Sequence, residues 1–172
     1  MYTYRTMAMT TVIIWVAQYA FVLSILLWII YFLVRPGQRV DLFVLSALAF
    51  PLALAIALLL GLVVYDPRPF VVAHSVPLIA HPADNGFPSD HTLLTAAIAA
   101  VVFVLNRKLG LVLFVISLAV GLARIAALLH SPLDVAGSLL ISIMATGVAV
   151  VGWKKLWPRV HALIPHQGTA DT

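Results

Sequence analysis

Long uncharged apolar runs alternate along this chain with short polar clusters, and five of the runs read as helices that cross a bilayer. They cover residues 7–34, 41–65, 91–106, 111–129 and 133–153. A hydrocarbon layer about 30 Å thick is crossed by about 20 helical residues rising 1.5 Å each. The pattern therefore predicts an all-α, polytopic membrane bundle of about five transmembrane helices, built as a single domain. A cleaved signal peptide fits the first run poorly, because the run is too long, only Arg5 precedes it and no small-x-small cleavage site follows. Arg35-Pro36-Gly37-Gln38-Arg39 makes a short basic turn after the first run, and Pro51 is expected to kink the second.

Between the second and third runs the pattern breaks. Residues 66–90 carry Asp66-Pro67-Arg68-Pro69-Phe70, then His74, Pro77, His81, Pro82 and Asp84. Loops beyond roughly 12 to 15 residues in a compact protein usually carry function or are disordered. Phe70, Val71, Val72, Leu78 and Ile79 give this one enough apolar surface to pack as a lid. After the fifth run, residues 154–172 read as a solvated tail that takes His161 and His166 with it, and Trp153-Lys154-Lys155-Leu156-Trp157 reads as an interfacial anchor.

Composition agrees with the pattern and adds exclusions. Hydrophobic residues make up 63% of the chain and charged residues 9%, with mean hydropathy +1.11. A soluble domain carries about 25% charge. The net charge of +4 is then a topology signal and not a nucleic-acid footprint. Arg35, Arg39, Arg107, Lys108, Lys154, Lys155 and Arg159 all fall on one side of a five-span arrangement. By the positive-inside rule that side is cytoplasmic. The long loop, His91 and the turn at His130 then meet on the opposite, external face. The absence of cysteine excludes disulfides, thiolate metal sites and cysteine nucleophiles.

The chemistry gathers at that external face. Asn85-Gly86-Phe87-Pro88-Ser89-Asp90-His91 leads directly into an apolar helix, with Ser89 placed as its N-cap. Unpaired N–H groups and the helix dipole make such a junction attractive to phosphate. A plain helix start is the competing reading. His91, a titratable ring at the edge of a membrane-length run, suits proton transfer. Arg124 lies six residues before His130, roughly 9 Å below the external helix end at 1.5 Å per residue, where a charge must face the bundle and meet an anion or snorkel to the headgroups. Ser131 and Pro132 read as N-cap and first residue of the last helix, so Asp134 can reach back to His130, fix its tautomer and leave the other nitrogen free as a nucleophile. Flanking prolines hold Arg68 extended, which suits bidentate phosphate binding. His81, in the loop, is a further candidate for phosphate binding while protonated.

The ordered set Gly61-x6-Arg68-Pro69, Pro88-Ser89-Asp90-His91 and Ala123-Arg124-x5-His130-x3-Asp134 resembles the three motifs of the type 2 phosphatidic acid phosphatase superfamily. Asp90 and the Asn85-Gly86-Phe87 lead are similar to its undecaprenyl-diphosphatase subgroup, associated with bacitracin resistance. Two family positions depart: glycine stands at 61 in place of lysine and alanine at 123 in place of serine. The resemblance implies hydrolysis of undecaprenyl diphosphate through a phosphohistidine, for cell-wall carrier recycling. His130 would be the nucleophile, Asp134 its partner and His91 the acid and then the base. Arg68, Arg124, Ser89 and Asp90 would stand at the phosphate. No cofactor or metal is expected, because two arginines offer the charge a metal would supply. The expected partners are an isoprenoid lipid diphosphate and the bilayer, with no nucleic acid and no obligate protein partner. Phosphatidic acid or phosphatidylglycerol phosphate stays open as the substrate. A lipid-phosphate binder or flippase without chemistry, and a purely structural membrane protein, stay open as other classes.

Overall fold

The computed structural model describes residues 2–163, and residues 164–172, with His166, lie outside them. Five long helices form the bundle: α1 (Tyr2–Val34), α2 (Arg39–Val63), α4 (Asp90–Leu105), α5 (Arg107–Ala126) and α6 (Pro132–Leu163). A one-turn helix, α3 (Pro69–Val72), interrupts the loop between α2 and α4, and a 3-10 turn at Pro36–Gln38 joins α1 to α2. Among the described residues four helices are long and apolar enough to span a membrane, while α4 has 16 residues. It rises only about 24 Å.

That short helix is the hub. α4 packs against α1, α2, α5 and α6, and ten of its residues, Thr92 to Val102 with one gap at Leu94, are buried. Ala96, Ala97, Ala99 and Ala100 let the neighbours approach closely, the means by which helices associate where lipid is as apolar as the core. Buried hydroxyls add interhelical bonds. Ser138 Oγ donates to Ser89 O at 3.0 Å, Ser142 Oγ to Leu93 O at 2.9 Å, and Thr95 Oγ1 to Ser117 Oγ at 2.9 Å.

At the basic end the chain departs from the expected anchor. Trp153 is buried at 8% exposure, and its indole N–H donates to Asp41 Oδ1 at 2.7 Å. The tryptophan closes the core beside Tyr31, Leu42, Leu45 and Leu113, because Asp41 at the start of α2 offers the acceptor that an indole needs when desolvated. α6 also continues to Leu163, where a solvated tail was expected from residue 154.

Candidate active site

At the opposite end, two staples fold the loop onto the bundle. Asn85 uses its whole side chain: Nδ2 donates to Gly61 O at 3.0 Å and Val64 O at 2.8 Å, carbonyls that the end of α2 leaves unpaired. Its Oδ1 accepts from Asp66 N at 3.0 Å and Phe87 N at 3.1 Å. Asp66 supplies the second staple, its Oδ2 accepting from Ser131 Oγ at 2.5 Å and its carbonyl from Gly86 N at 2.8 Å. Ser131 caps α6 as expected, accepting from the N–H groups of Leu133 and Asp134 at 3.1 and 3.2 Å, while its own N–H donates to Asp134 Oδ2 at 2.8 Å.

The end of α5 is built to deliver a histidine. Leu129 N–H returns to Arg124 O and Leu128 N–H to Ile125 O, with Leu128 in the left-handed region at φ 61°. This is a Schellman closure with leucine where glycine is usual. Phe70 N–H, bonded to Leu128 O at 3.2 Å, holds that conformation against the loop. His130 follows directly and is buried at 2% exposure.

The geometry around His130 fixes its chemistry. Nδ1 lies 2.9 Å from Gly86 O and 3.3 Å from Asp134 Oδ2. A carbonyl oxygen only accepts, so Nδ1 carries the proton and Nε2 the lone pair. Nε2 faces two guanidinium groups, Arg124 Nη2 at 3.1 Å and Arg68 Nη1 at 3.5 Å. Burial pushes the imidazole below its ordinary range, the bond to Asp134 acts the other way, and the charges of Arg124 and Arg68 push it further down. The ring is thus held neutral with its lone pair between two cations, where an anion would sit. Gly86 leaves no room for a side chain: a Cβ there would stand 2.9 Å from Asp134 Oδ2 and 3.0 Å from Asp66 O.

Arg68 and Arg124 are both buried. Arg124 Nη1 donates to Ala17 O on α1 at 3.3 Å, and its Nε has no partner among the described residues. Arg68 Nη1 donates to Leu129 O at 2.9 Å, and Nε donates to Asp84 Oδ1 at 2.6 Å. That guanidinium holds the Asp84 carboxyl below the usual carboxylate range. Arg68, Arg124, His130 and Asp134 therefore share one constellation, closed by the backbone of Gly86.

The other candidates stand around it. His91 opens α4 with its ring edge-on to Phe21 at 4.9 Å between centroids, within electrostatic reach of Arg124, Asp90 and His130. Ser89 precedes α4 in the capping position with extended backbone, but its hydroxyl caps nothing. It pairs instead with Thr92 Oγ1 at 3.1 Å, a partner one turn on that satisfies it away from the helix mouth. Asp90 is exposed and lines two adjoining grooves. His81 sits in the loop with Nδ1 3.3 Å from Pro82 O and 4.0 Å from Asp84 Oδ1. Asn85, Asp66, Asp84 and the Gly86 carbonyl carry more of the assembly than their sequence suggested. The one signal was an Asn-Gly pair beside charged residues in so apolar a chain. Gly61, at the position of the family lysine, lines a groove of about 310 Å³ with Arg68, Asp84 and Asp90. That groove meets an apolar one of about 450 Å³ between α2 and α4 at Leu54 and Asp90.

The described residues thus form a bundle of apolar, membrane-length helices with a buried histidine facing two buried arginines at one end. The chain belongs to the PAP2 superfamily, whose description matches residues 42–158. It is similar to the undecaprenyl-diphosphatase BcrC of Bacillus subtilis (strain 168), 34% identical over 83% of this chain and 74% of that one. The bacitracin transport permease protein BcrC of Bacillus licheniformis is 32% identical over 78% of this chain and 66% of its own. The chain thus spans about two thirds to three quarters of these relatives. No solved structure matches it.

Proposed function

We propose that this chain is a lipid phosphatase that hydrolyses undecaprenyl diphosphate to undecaprenyl phosphate and inorganic phosphate without a metal. The observation that carries the reading is His130 Nε2 standing 3.1 and 3.5 Å from two guanidinium nitrogens while Nδ1 stands 2.9 Å from a backbone carbonyl. A terminal phosphoryl group held by Arg124 and Arg68 would meet that lone pair in line. The N–P bond forms as the P–O bond to the lipid phosphate breaks, and His91 supplies the proton that the departing oxygen takes up. Water then attacks the phosphohistidine, His91 takes its proton, and His130 is restored with release of phosphate. The arginines are matched to the charge spread over the phosphoryl oxygens in the transition state. The α2–α4 groove, apolar over most of its length and continuous with the polar pocket at Arg68, suits the isoprenoid tail. The B. subtilis relative's name supports the diphosphate over a glycerophospholipid phosphate, and the product would re-enter the wall-polymer carrier pool.

Purified chain incubated with undecaprenyl diphosphate in excess EDTA is expected to release one phosphate and leave the lipid monophosphate. Loss of turnover on chelation, restored by magnesium, would overturn the metal-free reading. Binding of the lipid without phosphate release would favour a lipid-phosphate binder or flippase without chemistry.

The basic residues support an external site and a cytoplasmic opposite face in the bacterial inner membrane. Ser75 is exposed in the loop and Lys108 is exposed at the start of α5, at the other end of the bundle. In this cysteine-free chain, Ser75→Cys is expected to react with a membrane-impermeant maleimide in intact spheroplasts and Lys108→Cys only after lysis. The reverse pattern would invert the topology.

A further inference from the structure

Asp84 has no part in the reaction drawn above, yet it makes the shortest contact that Arg68 has. Its side chain is 57% exposed, and its Oδ1 nevertheless takes the Nε of an arginine whose own side chain is only 7% exposed, at 2.6 Å. A guanidinium is planar and rigid, so two short bonds at different corners set its position and its plane. For Arg68 those bonds are Nε to Asp84 and Nη1 to Leu129 O at 2.9 Å, since Nη2 reaches Asn85 O only at 3.5 Å. The working corner is Nη1, which faces His130 Nε2. A phosphorus atom within reach of His130 must lie at that corner, and Asp84 grips another.

His81 does not displace this pairing, because its Nδ1 is 4.0 Å from the same oxygen and closer to its own Pro82 carbonyl. An exposed carboxylate at the rim of a phosphate site would repel the substrate if it were free. Bonded to Arg68, it keeps the cation's plane and gives up most of its own field.

We propose that Asp84 is a positioning residue for phosphoryl transfer, acting through Arg68 to aim Nη1 at the phosphoryl group on His130. The proposal rests on the reading of His130 and the arginines as the phosphate site. An Arg68 that can swing still attracts substrate but no longer meets the transition state, so the loss belongs in kcat.

The test uses the full-length purified chain in detergent, with phosphate release from farnesyl diphosphate as the assay. Asp84→Asn is expected to lower kcat about 10- to 100-fold, the scale of an ångström of misplacement, with KM changed by less than about threefold. Asp84→Glu should restore part of the loss. In an Arg68→Ala background, Asp84→Asn should change kcat by less than about twofold, since a residue that acts through another has nothing left to act on. A full loss in that background would overturn the proposal, and so would a gain in turnover, which would make Asp84 a latch that the substrate displaces. Binding of inorganic phosphate, read as a thermal shift, separates this idea from the enzymatic reading. If the unmodified chain releases no phosphate, the enzymatic reading fails. Where the unmodified chain does turn over, Asp84→Asn should leave the phosphate shift nearly unchanged, as the small change in KM requires, and a phosphate affinity that falls along with kcat would overturn the positioning role.

Discussion

His130→Ala is expected to abolish phosphate release, by about 10⁴-fold or more on the scale of nucleophile removal in other covalent hydrolases, while the protein remains folded in detergent. The side chain's hydrogen bonds run to Gly86 O, Asp134 and two arginines. Its loss leaves Asp134 bonded to Ser131 N–H and Arg68 bonded to Asp84 and Leu129, so the cluster retains its scaffold. Wild type incubated with phosphorus-labelled substrate and quenched in alkaline denaturant should carry a base-stable, acid-labile phosphate that the variant lacks. Residual activity of more than a few per cent would exclude the covalent route. Asp134→Asn should cost less, because Gly86 O is the nearer acceptor of the Nδ1 proton and stays in place.

The depressed basicity of His130 adds a pH dependence whose sign can be worked out. The free imidazole titrates at 6.5 and the folded one below that. The acidic limb of kcat/KM, if set by the nucleophile, should therefore fall below the ordinary histidine range. Between the two values the unfolded chain binds the extra proton and the folded chain does not. Stability from this group is thus present above 6.5 and declines as pH drops towards the folded value.

The bundle was legible in the sequence because charge and proline interrupt the apolar runs at nearly every turn, and a bilayer leaves a chain of this composition few other folds. Arg124 and the His130/Asp134 spacing were legible for a related reason: ionisable groups at membrane depth are costly, so each one points to a partner. What holds them was not legible. The carbonyls of Gly86, Leu129 and Ala17 accept from His130, Arg68 and Arg124, and a backbone oxygen has no signature in the sequence. Asn85 joins residues 61, 64, 66 and 87 through a single amide, a pattern that emerges only when α2 and the loop are brought together. Trp153 was misread because lysines follow it. The acceptor that draws it inward, Asp41, lies more than a hundred positions earlier, at a distance of 112 residues.

Arg124→Gln is expected to produce the second-largest loss, about 10³-fold in kcat/KM, within the range measured when a transition-state arginine is removed. Arg124 is the nearer of the two cations to His130 Nε2 and is anchored on α1 through Ala17 O, so it joins the nucleophile to a helix that otherwise packs on α4 and α5. Glutamine keeps a donor and much of the apolar stem but loses the charge, leaving Arg68 alone against a diphosphate. No lysine stands near enough to compensate: Lys108, Lys154 and Lys155 all belong to the far end of the bundle, and position 61 is glycine. Arg124→Lys should recover only part of the loss. An ammonium restores the charge but lacks the planar fork that bonds Ala17 O and faces His130 at once. The measurement is steady-state phosphate release for the three proteins, with inorganic phosphate binding alongside. If lysine restored full activity, the site would need only a positive charge, and the two-directional placement of Arg124 between α1 and His130 would carry no catalytic weight.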